Sequence, residues 1–166
     1  MRRTKQQNDS FEAMLKQCEG TLIKICLFYT WEKPDDFQDL HQDILLTLWE
    51  QWPTFRGDSK LNTWVYSIAR NVAVKHLRRR EKEQRFFTLN THFHHYLTNN
   101  GDDIHQELYA LIERLDNGFD REIIYLYLDK KTYREIAEMT GSTENAIKQR
   151  FYRIKKKLIA LKNQEL

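Results

Sequence analysis

The stretch Thr132-Tyr133-Arg134-Glu135-Ile136-Ala137-Glu138-Met139-Thr140-Gly141-Ser142-Thr143-Glu144-Asn145-Ala146-Ile147-Lys148-Gln149-Arg150-Phe151-Tyr152-Arg153-Ile154 decides how this chain is read. Thr132 followed by Glu135 fits a capping box, in which the hydroxyl accepts from the third amide and the carboxylate reaches back to the first. The spacing therefore predicts a helix that starts there, carries Ile136, Ala137 and Met139, and stops around Thr140-Gly141-Ser142. A longer helix follows, with Ala146, Ile147, Phe151, Ile154 and Leu158 inward and Asn145, Lys148, Gln149, Tyr152 and Arg153 outward. Short helix, glycine turn and longer basic helix is the sequence form of a helix-turn-helix. Its outer face is chemically suited to base edges and phosphates. An ordinary amphipathic helix with a solvated basic side shows the same pattern.

Upstream, Ile104, Leu108, Leu111, Ile112 and Leu115 have helical spacing, Asp116-Asn117-Gly118 reads as a stop, and Ile123, Ile124, Tyr127 and Leu128 form a further helix. Between Glu81 and Asp103 the periodicity is lost, and Asn90, Thr91, Thr98, Asn99, Asn100 and Gly101 are connector residues. His92, His94 and His95 lie in this linker, and with no paired cysteines or spaced carboxylates beside them they read as solvated side chains, with no metal and no cofactor expected. The N-terminal part holds three helices. In the first, Phe11, Leu15, Cys18, Leu22, Ile25 and Tyr29 share a face. The second starts near Asp35 or Asp36, after Pro34, and ends near Trp52-Pro53. A loop from Phe55 to Lys60 leads to the third, about Leu61 to Arg80, with Trp64, Ile68, Val72 and Leu77 near one face.

The expected architecture is all-α: two small helical domains joined by a flexible linker, the C-terminal one a helix-turn-helix, with boundaries at 8–82, 83–102 and 103–166. Composition agrees. Of 166 residues, 40% are hydrophobic and 31% charged, with only 5 Gly and 2 Pro, which suffices for a core and leaves little punctuation. Length excludes a large multidomain enzyme. No apolar run approaches the roughly 18 residues of a membrane span, and the basic start, Met1 to Asn8, leads into no apolar segment, so a cytoplasmic protein is expected. Cys18 and Cys26, on one helix and separated by steps of about 1.5 Å per residue, are too far apart to pair and read as buried thiols.

Net charge is only +3, but its distribution is uneven. Lys75, Arg78, Arg79, Arg80 and Lys82 form one basic cluster, Lys148, Arg150, Arg153, Lys155, Lys156 and Lys157 another, and acidic residues gather from Asp35 to Asp43, which suggests separate partner surfaces. On the second helix Phe37, Leu40, Ile44 and Leu48 face one way, while Asp39, Gln42, Asp43, Leu46 and Glu50 gather opposite, an acidic face around one leucine. The third helix combines Trp64, Tyr66 and the preceding Phe55 with Asn71, Lys75 and Arg78. Flat surfaces, an amide and cations together suit an unstacked nucleic-acid strand, although each aromatic taken singly is also a core candidate.

Three of these segments, in this order, resemble the sigma subunits of bacterial RNA polymerase, specifically the short extracytoplasmic-function group. Asp39-Leu40-His41-Gln42-Asp43 with Leu48-Trp49 is similar to that family's core-binding helix. Phe55-Arg56-Gly57-Asp58-Ser59 and Thr63-Trp64-Val65-Tyr66-Ser67-Ile68-Ala69-Arg70-Asn71 resemble its minus-ten segment, and Glu135-Ile136-Ala137-Glu138 through Ile147-Lys148-Gln149-Arg150 its minus-thirty-five helix-turn-helix. The resemblance implies that Asp39, Gln42, Asp43 and Leu46 bind the clamp helices of the largest subunit of core RNA polymerase. It implies that Phe55, Asp58, Ser59, Ile68 and Asn71 shape a pocket for a flipped base, with Lys75, Arg78 and Arg79 on the backbone. Lys148, Gln149, Tyr152 and Arg153 would read upstream promoter DNA, and an anti-sigma factor is an expected partner. The chain departs from the family pattern at Asn145-Ala146, where Gly-Thr is common, and lacks the proline often found before Arg121-Glu122-Ile123.

The implied function is a sigma factor that directs promoter-specific initiation and stabilises strand opening. A dimeric helix-turn-helix regulator is the alternative; it would bind duplex operator and ignore core polymerase, so co-purification separates the two. An enzyme finds no support, since no phosphate-binding glycine loop, nucleophile elbow, His-Glu zinc motif or Cys-pair site is present.

Overall fold

The computed structural model describes residues 5–30, 33–83 and 103–164, and over these the chain forms seven α-helices and no strand. They divide into two compact units, Met1–Phe86 and Phe87–Leu166. Of the expected connector, Glu83 closes a helix and the remainder, with His92, His94 and His95, lies outside the described residues.

In the first unit, α1 (Lys5–Thr30) is followed by a 3₁₀ turn (Pro34–Asp36), α2 (Phe37–Gln51), a second 3₁₀ turn (Trp52–Thr54) and α3 (Leu61–Glu83), with the three helices packed on one another. Apolar residues at helical spacing bury one face of α1: Phe11, Met14, Cys18, Leu22, Ile25 and Tyr29. On α2 Leu40, Ile44 and Leu48 are fully buried, each worth about 1.5–3 kcal/mol of transfer free energy. The buried line of α3 runs through Val65, Ala69, Ala73 and Leu77. The expected face through Trp64 and Val72 is therefore rotated: both are only half-buried, and the small alanines, rather than the larger side chains, let α3 approach its neighbours closely. Cys18 and Cys26 are free and buried, and burial pushes both thiols up, Cys26 to about 12, so neither is a nucleophile at neutral pH.

The second unit is α4 (Asp103–Glu113), α5 (Gly118–Leu128), α6 (Tyr133–Thr140) and α7 (Glu144–Asn163). Each start from α5 onward has its own cap. Asn117, expected only as part of a stop, also opens α5, its side chain accepting from Phe119 N at 2.9 Å. Thr132 and Glu135 form both arms of the capping box, at 3.2 and 2.9 Å. Thr143 caps α7 by accepting from Ala146 N. Gly141 ends α6 at φ 67°, and Ser142 N donates to Ala137 O across it. No atom lies within 4 Å of where a Cβ would sit at Gly141, so the backbone conformation alone penalises a side chain. Gly141→Ala is expected to lower the stability of this unit by about 1–2 kcal/mol, read by urea unfolding. On α7, Ile147 and Ile154 are buried and Phe151 and Leu158 half-buried, while Ala146, expected inward, is exposed in the first turn beside the cap.

Candidate functional site

The buried edge of α2 fixes what its other edge offers. With Leu40, Ile44 and Leu48 pinned inward, Asp39, Gln42, Asp43, Leu46 and Glu50 all stand exposed on the opposite face. Leu46 is 59% exposed at the middle of this acidic group, an apolar side chain of α2 that the packing of its own unit does not use.

The Phe55–Lys60 loop is held by an aromatic cluster. Phe55 stacks on Trp52 at 5.7 Å and 12° and lies 5.1 Å from Trp64, while Trp52 donates its indole N–H to Ser10 Oγ at 3.1 Å. Gly57 makes the turn at φ 79°, leaving Asp58 exposed and Ser59 half-buried. Residues a heptad apart nearly eclipse on a helix, so Asn71 continues the line of Trp64 about 10 Å along α3, and Lys75 and Arg78 extend it. All three are exposed. Phe55, Trp64, Asn71, Lys75 and Arg78 thus make one stripe of ring, amide and cation. Ile68 is 7% exposed and lies in the core, so of the expected nucleic-acid residues it supports the stripe from beneath and presents no surface of its own.

Arg79 does not join the stripe. One residue beyond Arg78 means about 100° of rotation, and the Arg79 guanidinium turns to α2, 3.5 Å from Asp43 Oδ2. The structure brings it to the acidic face, not to the cations expected on the DNA backbone.

On α7, Lys148, Gln149, Tyr152 and Arg153 are exposed together as expected. Lys148 Nζ lies 2.6 Å from Glu144, and this hydrogen-bonded charge holds the Glu144 carboxyl below its usual range. Lys156 sits over the Tyr152 ring at 4.7 Å. Behind α7, Asp120 of α5 accepts from Arg150 Nε at 2.5 Å and Lys157 Nζ at 3.5 Å, and Arg150 also covers the Phe119 ring at 4.6 Å. Two residues that sequence reasoning passed over therefore belong with the sites: Glu144, whose spacing to Lys148 was the available signal, and Asp120, whose partners lie on another helix.

The two units correspond to two known families. Sigma-70 region 2 matches residues 14–83, spanning α1 from Met14 to the end of α3, and sigma-70 region 4 matches residues 105–158, spanning α4 to α7. The chain belongs to the sigma-70 family. Two sigma factors of Bacillus subtilis (strain 168) are similar to it. RNA polymerase sigma factor SigV is 25% identical over 121 residues, 72% of this chain and 71% of that protein. ECF RNA polymerase sigma factor SigX is 34% identical over 55 residues, 33% and 28% of the two chains. Solved structures share the fold: the sigma factor RpoE, in complex with the anti-sigma factor NepR from Bartonella quintana, at a TM-score of 0.72 and 24% identity over 93% of this chain and 97% of that one. CnrH, in complex with the cytosolic domain of CnrY, matches at a TM-score of 0.62 and 20% identity over 96% and 91%. This is an extracytoplasmic-function sigma factor, a non-catalytic, promoter-recognising initiation subunit of RNA polymerase. The α6–α7 helix-turn-helix is the DNA-binding part of its region 4. No described helix of the sigma factor is long and apolar enough to cross a membrane.

Proposed function

We propose that this sigma factor grips core RNA polymerase with α2, captures the minus-ten element with the stripe on α3, and reads the minus-thirty-five element with α7. Residues 8–82 form the first functional domain and 103–166 the second, with 83–102 connecting them. Asp39, Gln42, Asp43 and Leu46 dock on the clamp helices of the largest subunit. Phe55, Asp58 and Ser59, backed by Ile68, together with Asn71, hold an extruded base of the non-template strand, and Lys75 and Arg78 neutralise the adjoining phosphates. Extruding a base costs a few kcal/mol of unstacking, and stacking it on an aromatic ring returns about 1–3 kcal/mol, so the stripe is scaled to stabilise opening rather than to force it. In the major groove Lys148, Gln149, Tyr152 and Arg153 meet bases and phosphates, the geometry in which a recognition helix uses its first turns.

One observation carries this reading: a leucine ringed by acids on region 2 and a capped helix-turn-helix on region 4 stand on one chain. RpoE is known bound to an anti-sigma factor, and we extend that class of partner to this chain, which acts in the cytoplasm where core polymerase and promoter DNA meet.

Two substitutions at exposed positions separate the steps. Asn71→Ala is expected to slow formation of the open complex about tenfold with core binding unchanged, read by permanganate reactivity of unpaired thymines. Lys148→Ala is expected to weaken occupancy of the upstream element about tenfold, read by footprinting of the holoenzyme. Run-off transcription unaltered in both variants removes the DNA assignments.

A further inference from the structure

A cleft of about 430 Å³ opens where the Pro34–Asp36 turn, α2 and α3 meet. The turn and α2 contribute Asp36, Asp39, Gln42 and Asp43, α3 contributes His76 and Arg79, and Lys33 completes the lining. Three carboxylates face two permanent cations, Lys33 and Arg79, and the imidazole of His76, so the cleft favours a further cation. Among the described residues no group of His, Cys, Asp and Glu is arranged to hold a metal ion, which leaves a cationic side chain as the fitting guest.

One such side chain already sits there. The Arg79 guanidinium lies 3.5 Å from Asp43 Oδ2 and 3.5 Å from His76 Nδ1. Both distances are at the long limit of a hydrogen bond, and the two charged side chains are 65% and 49% exposed, so the contact is weak and easily exchanged. His76 is the opposite case. It is 9% exposed, and its Nε2 is buried with no hydrogen-bond partner, 3.7 Å from Asp36 Oδ2. That carboxylate favours the ring proton on Nε2, which leaves Nδ1 as the acceptor that a guanidinium needs. Asp43 Oδ2 and His76 Nδ1 therefore converge on one nitrogen, Arg79 Nη2, a two-acceptor site for a single cationic N–H group, preset by Asp36 and only loosely filled.

We propose that Arg79 is an internal stand-in: in the free sigma factor its guanidinium occupies the subsite that a basic side chain of core polymerase takes on binding. The inference rests on the reading of α2 as the polymerase-binding face and adds to it a pocket on α3 and a built-in competitor. Displacing Arg79 loses a weak, solvent-exposed contact and gains one in a site that the protein–protein contact closes to water. The stand-in lowers core affinity and keeps the acidic cleft from recruiting other basic proteins.

The test is titration of core polymerase with the full-length chain at low and moderate ionic strength. Arg79→Gln is expected to bind core about three- to fivefold more tightly at low salt, with the gain shrinking as salt rises. Lys16→Gln, which removes the same charge from an exposed position of α1 outside the cleft, is expected to show no gain. Asp43→Asn is expected to bind more weakly. Weakened Asp43→Asn with Arg79→Gln unchanged or weaker overturns the stand-in and leaves the acidic face as the docking surface. An equal gain in Lys16→Gln assigns the effect to net charge and also overturns it. Unchanged Asp43→Asn removes the docking surface itself, and the stand-in with it.

Discussion

Leu46→Arg is expected to weaken binding to core polymerase about 100-fold and to leave the stability of the sigma factor within about 0.5 kcal/mol of the native chain. The two halves of this expectation have one cause. Leu46 is 59% exposed, so nothing in its own unit depends on its side chain, and a surface substitution on a good helix costs little. In the proposed complex with core polymerase the same side chain is the apolar centre of a patch whose rim is Asp39, Gln42, Asp43 and Glu50. Protein interfaces concentrate their energy in such a centre, where truncation costs about 2 kcal/mol or more, and the polar rim mainly excludes water. Arginine adds a like charge against a partner surface that must be basic to suit the acidic rim, which brings the loss to two orders of magnitude. Leu46→Ala, with the apolar centre removed but no charge added, is expected to lose about tenfold. Native-gel titration of core with each variant, beside urea unfolding of the free chains, checks both halves. Core affinity within about threefold of native for Leu46→Arg excludes α2 as the docking face.

What the sequence made legible was whatever repeats along a single helix or closes within a few residues. Leu40, Ile44 and Leu48 recur at one turn, so both the buried and the acidic face of α2 followed from spacing alone. The Thr132–Glu135 box and the Gly141 stop are local hydrogen-bond chemistry and appear as written. Spacing was weaker where side-chain size, not polarity, set the buried line, as at Ala69 and Ala73 of α3, which outrank the larger Trp64 and Val72. It failed where a residue's role depends on another helix. Arg78 and Arg79 read as one basic run, yet about 100° of helical rotation sends one along the stripe and the other onto Asp43. His76 carried no signal in the sequence, and only the packing of α2 against α3 shows it buried.

Asp120 is the sharpest example of this last kind, and its substitution should have the largest effect on stability. Gly118 through Leu126 of α5 contains Asp120, Arg121 and Glu122 in succession, all buried, although charged side chains are ordinarily exposed. Asp120, 5% exposed, receives Arg150 at 2.5 Å and Lys157 at 3.5 Å, both from α7, and its place in the first turn of α5 adds the favourable end of the helix dipole. Asp120→Ala leaves Arg150 partly desolvated and without its carboxylate. Breaking a buried pair costs about 3–5 kcal/mol, and because the Arg150 side chain keeps 31% exposure, and can recover some hydration, the expected loss is about 3 kcal/mol. The second unit should then melt roughly 10–20 °C lower while the first unit holds its transition, so calorimetry of the whole chain separates them. The same pair joins α7 to α5, so upstream-element binding is expected to fall before the unit unfolds. Asp120→Leu combined with Arg150→Met, which replaces the charges by apolar groups of similar volume, should recover most of the stability. It should not recover the binding if the ion pair, rather than packing, aims α7. A melting transition unchanged in Asp120→Ala means that α5 and α7 are joined by their apolar contacts alone.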